Sequence, residues 1–244
     1  MKIVQGLKLT LGVGGVFLAG CGTKIPQSKM EMSSQTIHIP FSDADITVDG
    51  KLNEAVYLEV APFEKFVVAA EPDRVAPSTK AWLFWSEERL VCAFQCIDLT
   101  PASQAATEDE HAVDGQDRVE LFIWDGNPKS EYYCIEVASK GAVHDYSARI
   151  YRVFDDEWNL SADEWDVAVA PNPDGYTVEF SLPRAAIESM TAKLVSGSRF
   201  KCGLFRADFD RLNGEPTWIT WVDQGREPDF HVADSFGVAE LASE

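Results

Sequence analysis

The strongest pattern in the chain is Gly115-Gln116-Asp117-Arg118-Val119-Glu120-Leu121-Phe122-Ile123-Trp124-Asp125-Gly126, followed by Tyr132-Tyr133-Cys134-Ile135-Glu136-Val137. Both runs are rich in β-branched and aromatic residues and are bounded by turn residues, so they predict two strands around a loop. Both faces of the first strand are apolar, which is typical of a central strand covered on both sides. A carboxylate there costs free energy unless it is paired or used. Glu120 is therefore the residue that most needs an explanation.

The composition indicates a globular domain with a strongly acidic surface. The 244 residues include 40 Asp and Glu against 21 Lys and Arg, which gives a formal net charge of −19. With 45% hydrophobic and 11% aromatic residues, the chain can fill a real core. Because a surface of this sign repels phosphate backbones, no nucleic-acid partner is expected.

Residues 1–20 are predicted to be a lipoprotein signal peptide. Two lysines precede an apolar run, Leu9 to Ala19, that is too short to span a bilayer. Leu18-Ala19-Gly20-Cys21 resembles a bacterial lipobox, in which the cysteine is lipidated and becomes the new N-terminus. The alternative is an ordinary apolar leader with an incidental cysteine. We expect a lipidated Cys21, a flexible tether over residues 21–37, and an exported protein held on a bacterial membrane by this lipid, in the periplasm or at the cell surface.

Residues 38–244 predict one all-β domain. Lys80–Trp85 and Arg89–Asp98 read as a hairpin, and Trp165–Val169 pairs naturally with Tyr176–Leu182 across an Asn-Pro-Asp-Gly turn. The one convincing helix is Pro183–Met190. Further strands are expected over Phe200–Phe209, Thr217–Val222 and Phe236–Leu241. Short strands separated by turn signals, with almost no helix, indicate an antiparallel, jelly-roll-like β-sandwich with one or two short helices.

The remaining cysteines are interpreted as thiols of the core. Cys92, Cys96, Cys134 and Cys202 each lie in an apolar run, where cysteine serves as a small hydrophobic residue. Cys92 and Cys96 are on one predicted strand, about 13 Å apart, and cannot bridge each other. Cross-strand disulfides are the alternative in an exported protein.

Several segments, taken in order, carry a resemblance to a known family. They are Val48-Asp49-Gly50-Lys51-Leu52-Asn53-Glu54-Ala55, Leu83-Phe84-Trp85, Asp117-Arg118-Val119-Glu120-Leu121-Phe122-Ile123, Gly175-Tyr176-Thr177-Val178-Glu179-Phe180 with Leu182-Pro183, then Trp221, Phe230-His231 and Phe236-Gly237. The set resembles the family-9 carbohydrate-binding modules, within a superfamily of haem- and sugar-binding sandwiches. The resemblance implies a β-sandwich that binds a mono- or oligosaccharide without catalysis, in polysaccharide recognition or catabolism.

The resemblance also implies roles for single residues. In sugar-binding members two tryptophans clamp a terminal sugar ring, while carboxylates and amides bind its hydroxyls. Glu120 corresponds to one such carboxylate and Phe230 to the second aromatic of the clamp. The first clamp tryptophan should lie three residues before Asp117, where this chain has Asp114. The chain therefore departs from the family in half of the clamp.

Each candidate has a structural alternative. Glu120 could form an ion pair with Arg206 instead of binding hydroxyls, and Glu136 competes for the same role. Trp221 and Phe230 could be core aromatics, and His231 a simple surface residue. The complete set of candidate ligand-binding residues is Glu120, Phe230, Asp117, Asp114, Arg206, His231 and Trp221.

Neither a catalytic motif, a cofactor nor a metal site is predicted. The four histidines have no ligand-like spacing. Acidic runs such as Asp155-Asp156-Glu157 could bind a structural calcium ion, but they lack the alternating pattern of a calcium loop and are interpreted as a solvated acidic face. No Gly-x-Ser-x-Gly, Walker or His-Glu-x-x-His motif is present. Two other functions stay open. One is a haem-binding electron-transfer domain, although Cys-x-x-Cys-His is missing; the other is a structural lipoprotein whose sugar pocket has decayed, which Asp114 would explain.

Overall fold

A computed structural model describes residues 35–107, 109–160, 165–225 and 228–243. The predicted signal peptide, Cys21 and all but the last residues of the tether lie outside them. The strands in the described residues are β1 (Thr36–Ile39), β2 (Val67–Val68), β3 (Thr79–Trp85), β4 (Arg89–Ile97), β5 (Arg118–Trp124), β6 (Tyr132–Ala138), β7 (Val143–Arg149), β8 (Val153–Asp155), β9 (Asp166–Asn172), β10 (Gly175–Pro183), β11 (Arg199–Phe209), β12 (Pro216–Thr220) and β13 (Gly237–Leu241). The helices are α1 (Val56–Glu59), α2 (Arg184–Met190) and two 3-10 turns, Glu110–Val113 and Ala233–Ser235.

The strands form two sheets. The larger has the order β1-β13-β11-β5-β6-β7-β8, and its strand β11 also pairs with β12, which pairs with β2. The smaller has the order β3-β4-β10-β9. Among the paired strands of the described residues, β1 and β13 are parallel and the others antiparallel. The predicted β-sandwich, its two hairpins and the helix before Met190 are confirmed.

Strand β5 lies at the centre of the larger sheet and is covered on both faces, as predicted. Val119, Leu121 and Ile123 join the main core between the sheets. Phe122 and Trp124 point the other way, into a second cluster that contains Phe205, Phe230 and Phe236. Every residue of β5 is buried. Glu120 therefore lies on the outer face of the larger sheet, beneath the segment that precedes β13.

The segment before α1 is anchored to the smaller sheet by Glu179 of β10. The backbone N–H groups of Asp49 and Gly50 each donate to Glu179 Oε2 over 3.0 Å, and the Tyr57 hydroxyl donates to its other oxygen over 2.5 Å. Gly50 has φ +76°, which favours glycine. One buried carboxylate thus holds a turn and a helix on the sheet.

The cysteines of the domain are free thiols. Cys92, Cys96, Cys134 and Cys202 are all buried, and none forms a disulfide. The prediction of core thiols is confirmed. No helix within the described residues has the length and apolar character needed to cross a bilayer.

Candidate functional site

Three charged side chains form a buried cluster on the outer face of the larger sheet. Glu120 of β5 lies directly opposite Glu136 of β6, and Arg118 precedes Glu120 by two residues, on the same face. Arg118 Nε is 2.9 Å from Glu120 Oε1 and 2.7 Å from Glu136 Oε2. The three side chains are 7%, 1% and 4% exposed. One guanidinium thus serves two carboxylates.

The two contacts are ion pairs without the alignment of hydrogen bonds. Arg118 Nε, Glu120 Oε1 and Glu136 Oε2 are buried and have no hydrogen-bond partner among the described residues. Burial, and then the charge of Glu136, raises the pKa of Glu120 although Arg118 opposes the shift. Because one cation cannot neutralise two carboxylates, the cluster favours the retention of one proton. Glu120 is a buried polar group with hydrogen-bonding capacity to spare.

Neighbouring groups hold the cluster in place. Arg118 Nη1 donates to the backbone carbonyl oxygen of Asp114 over 2.7 Å, and the Tyr146 hydroxyl donates to Glu136 Oε1 over 2.7 Å. The guanidinium lies 5.6 Å from the centre of the Trp218 ring, a cation–π contact. These contacts fix the orientation of Arg118 and Glu136. The polar atoms of the cluster that lack a hydrogen-bond partner are therefore held in defined positions.

Aromatic side chains form the wall beside the cluster. Phe230 stacks on Phe205 with ring centres 4.0 Å apart and ring planes 12° apart, and is 4% exposed. Trp218 meets the edge of Phe230 at 5.2 Å and is only partly buried. Phe230 is thus packed into the wall and offers no open stacking face. Of the three rings Phe205, Phe230 and Trp218, Trp218 is the one that solvent and a ligand can reach.

The rim is closed by the loop between β7 and β8. The Tyr151 hydroxyl donates a hydrogen bond to Asp229 Oδ2 over 2.7 Å, and Arg152 Nη2 lies 3.1 Å from Asp229 Oδ1. Next to it, His231 Nδ1 is 2.9 Å from the Tyr132 hydroxyl oxygen. Burial, and then the charge of Arg152, lowers the pKa of His231 to about 4, so this imidazole is neutral at pH 7.

These groups enclose a small cavity of about 50 Å³. Its lining residues are Arg118, Glu120, Arg152, Trp218, Pro228, Asp229, Phe230 and His231. The cavity has charged groups at its base, an aromatic ring at its side and a hydrogen-bonded rim. This combination suits a neutral ligand with several hydroxyl groups.

The structure brings four of the seven predicted residues to this place. Glu120, Phe230 and His231 line the cavity, and Asp114 holds Arg118 through its backbone carbonyl. Asp114 is otherwise on the surface, with a 55% exposed side chain. It cannot replace an aromatic clamp.

The other three predicted residues, Arg206, Asp117 and Trp221, do not line this cavity. Arg206 pairs with Val119 in register and so lies on the opposite face from Glu120. It forms ion pairs with Asp208 and Asp98 instead. The predicted ion pair between Glu120 and Arg206 is therefore wrong.

Asp117 and Trp221 have structural partners. Asp117 is fully buried and accepts hydrogen bonds from the backbone N–H groups of Ala102 and Phe209. Trp221 is 2% exposed within the main core and donates from Nε1 to the carbonyl oxygen of Cys202 over 3.2 Å. Both residues stabilise the fold.

Arg118 and Trp218 were not predicted as site residues. Arg118 could have been found, because residues two apart on a strand share a face and Arg118 precedes Glu120 by two. Trp218 gave no comparable signal. Its position depends on the pairing of β12 with β11, where Trp218 lies opposite Ala207.

The chain is similar to known proteins in sequence and in fold. Residues 48–244 match the family described as carbohydrate family 9 binding domain-like, a family of binding domains rather than enzymes. No curated protein matches the chain. Similar solved structures include a candidate carbohydrate-binding protein from Bacteroides uniformis, with a TM-score of 0.66 and 15% identity over 86% of this chain and 100% of that one.

Two further similar structures come from one organism. They are a family 9 carbohydrate-binding module from Caldicellulosiruptor kristjanssonii in complex with glucose and a module of this family from the same organism in complex with cellotriose. The TM-scores are 0.60 and 0.58, with 15% and 14% identity. Both cover 86% of this chain, and 97% and 95% of their own chains. At this identity the likeness concerns the fold.

Proposed function

Because the chain belongs to the carbohydrate family 9 binding domain-like family, we propose that it binds a mono- or oligosaccharide at the cavity beside Glu120, without catalysis. The observation that carries the proposal is Glu120 Oε1, a buried oxygen that lies 2.9 Å from Arg118 Nε without an aligned hydrogen bond and belongs to a residue that lines this cavity. A buried polar atom without a partner costs about 1–3 kcal/mol. A sugar hydroxyl would supply the missing donor.

Trp218 takes the stacking role in this proposal. An aromatic ring binds the apolar face of a pyranose with a large contact area and little loss of side-chain entropy. Trp218 is partly exposed, lies next to the cluster, and is braced from below by Phe230 and Arg118. The clamp of this chain is therefore one-sided, with Trp218 on one side and no ring at Asp114 on the other.

The cavity volume limits how a sugar can enter. About 50 Å³ is well below the roughly 300 Å³ of a small ligand pocket and close to the space of one or two waters. We infer that only the hydroxyl-bearing edge of a terminal sugar reaches Glu120 while the ring stays outside, against Trp218. Such a site suits a chain end of a polysaccharide and gives weak affinity for a single sugar.

The proposal places the domain outside the cytoplasm, on a membrane. Its support is the sequence around Cys21 and the acidic composition, which gives a charge of −21 once the two lysines of the leader are removed from −19. A lipid on Cys21 would then provide the attachment, and a tether over residues 21–37 would let the domain reach a polysaccharide. A role in polysaccharide recognition or catabolism is part of this proposal.

The test is calorimetry with glucose, cellotriose and a panel of other mono- and oligosaccharides, using the full chain in detergent. Trp218→Ala should weaken binding of whichever sugar binds by about five- to thirtyfold, because stacking of a ring on an aromatic contributes roughly 1–2 kcal/mol. Trp158→Ala is the matched control. It removes another partly buried tryptophan, which packs on Tyr133. Tyr133 is next to Tyr132 in β6, and it is Tyr132 that faces the site.

The two variants should differ in sugar affinity if the proposal holds. Sugar affinity should fall in Trp218→Ala and stay within twofold of the original protein in Trp158→Ala. Equal losses would mean that the fold, rather than the stacking ring, was damaged. Absence of binding to every sugar on the panel would favour the structural lipoprotein with a decayed pocket.

A further inference from the structure

A second group of polar side chains lies next to the charged cluster, on the same face of the sheet. His144 belongs to β7 and lies opposite Glu136 in register. His111 belongs to the 3-10 turn Glu110–Val113, and Asp114 follows that turn. One ligand atom from each of His111, Asp114 and His144 can be chosen so that all three lie within 4.8 Å of one another. Two separate segments of the chain thus bring two imidazoles and a carboxylate together.

The distances fit the ligands of one tetrahedral ion. His144 Nδ1 is 3.2 Å from Asp114 Oδ1, and His111 Nδ1 is 3.6 Å from Asp114 Oδ2. Zn²⁺ binds nitrogen and oxygen at about 2.0–2.2 Å, so two of its tetrahedral ligands lie about 3.3–3.6 Å apart. The two distances end on different oxygens of the Asp114 carboxylate, whose 55% exposed side chain can rotate to present one oxygen to the ion.

The surroundings favour a metal ion as well. His144 is held rigidly, with a 6% exposed side chain and its ring 4.7 Å from that of Tyr146. His111 and Asp114 are more than half exposed and free to adjust. Asp156 Oδ2 lies 3.8 Å from His111 Nε2, on the side of the ring away from Asp114. A carboxylate that accepts a hydrogen bond from the second nitrogen is the usual way in which a metal-bound histidine is oriented, and a closer approach of the exposed Asp156 would supply it.

From this geometry we propose that His111, Asp114 and His144 bind a divalent transition metal ion of the Zn²⁺ class, with Asp156 orienting His111. Two imidazoles and one carboxylate are typical of Zn²⁺ and unlike the all-oxygen sites of Ca²⁺. Three protein ligands leave a coordination position open to water or to a ligand. The inference is independent of sugar binding and gives Asp114 a role at the position where the clamp tryptophan is missing.

A second carboxylate group in the described residues does not support such a site. Asp98, Asp117 and Asp208 also lie close together. Arg206 contacts Asp98 and Asp208, and Asp117 accepts two backbone hydrogen bonds. These carboxylates already have cationic or amide partners, and the group contains no histidine.

The test uses the full chain in detergent, freed of metal with EDTA and titrated with Zn²⁺ alone. One Zn²⁺ per chain should bind, and His111→Ala and Asp114→Ala should each weaken this binding at least tenfold. Asp156→Asn should weaken it about tenfold through the orientation of His111. His38→Ala is the matched control, because His38 is an exposed histidine 3.8 Å from a single carboxylate, Glu240. It should bind Zn²⁺ as the original protein does.

Co²⁺ gives a second readout that does not depend on affinity. A tetrahedral site with nitrogen and oxygen ligands should produce visible absorption bands that His111→Ala loses and His38→Ala keeps. Thermal melts without metal check that each variant folds. Weak binding of several ions that is equal in all variants would overturn the proposal, as would displacement of Zn²⁺ by a modest excess of Ca²⁺.

Discussion

Two glutamates that share one arginine explain how a carboxylate can lie in an apolar strand. Arg118 supplies the charge that Glu120 and Glu136 need, and it comes from the same strand as Glu120. The pairing is incomplete, since a single Nε–H cannot donate to both carboxylates. The structure therefore contains an ion pair at Glu120, and it still leaves a carboxylate oxygen without an aligned hydrogen bond for the hydroxyl that we propose to bind there. The arginine of the pair is Arg118, not Arg206.

Glu120→Gln should leave the fold intact. Arg118 keeps Glu136 as its partner, and the substitution removes the repulsion between two buried carboxylates. Because the folded pKa of Glu120 is raised, the folded protein binds more protons than the unfolded chain between the two pKa values, and wild-type stability falls as pH rises through that range. Urea unfolding should show Glu120→Gln at least as stable as the original protein, with its advantage larger at pH 8 than at pH 5.

Arg118→Met should destabilise the fold. It leaves Glu120 and Glu136 buried without a cation, which costs about 3–5 kcal/mol of unfolding free energy near neutral pH. Arg152→Met is the control, since Arg152 is 45% exposed in its pair with Asp229 and should cost less than about 1 kcal/mol. Similar losses in both variants, or a loss above about 2 kcal/mol in Glu120→Gln at pH 8, would contradict this account of the cluster.

At the scale of elements, the turn before α1 depends on close approach to the smaller sheet. A Cβ on Gly50 would lie 2.7 Å from the backbone nitrogen of Ala170 and 2.8 Å from the carbonyl carbon of Val169. Neither is a side-chain atom that can rotate away. The two hydrogen bonds from this turn to Glu179 would be disturbed together with β9.

Gly50→Ala should therefore destabilise the domain well beyond the effect of backbone conformation. Gly141 is the control, because it has a similar φ of +87° and nothing within 4 Å of its Cβ position. Gly141→Ala should cost about 1–2 kcal/mol for the left-handed conformation, and Gly50→Ala roughly 1–3 kcal/mol more for the clash. Thermal or urea unfolding measures both. Equal losses would mean that the turn moves away from β9 at little cost.

The sequence predicts elements better than it predicts their neighbours. Strands and hairpins follow from alternation and turn residues, which are local, so β3, β4 and β10 could be predicted within one residue and β9 within three. The site depends on pairing between strands distant in the chain. Trp218 reaches Arg118 only because β12 pairs with β11, and His111 meets His144 only because a 3-10 turn packs on β7. Neither contact can be predicted from the spacing of the residues along the chain.

The acidity of the protein bears on how it could be attached to a membrane. A formal charge of −19 gives the domain no electrostatic attraction to anionic lipid, so membrane attachment needs a hydrophobic group. The lipobox-like sequence before Cys21 would supply it. The proposed sugar and metal sites both lie on the outer face of the larger sheet.

The last prediction concerns Cys21→Ala. Lipid attachment to this residue predicts that cells fed an alkyne-labelled palmitate incorporate label into the full chain, and that Cys21→Ala loses it completely, because the other cysteines are buried thiols. Cys202→Ala, normalised to protein amount, is the matched control and should keep its label. Labelling is preferable to fractionation alone, since an uncleaved apolar leader would also hold a chain at the membrane. Cys21→Ala that is still labelled, or a cleaved and unlabelled original protein, would refute the lipid anchor and leave the sugar site to be judged by calorimetry.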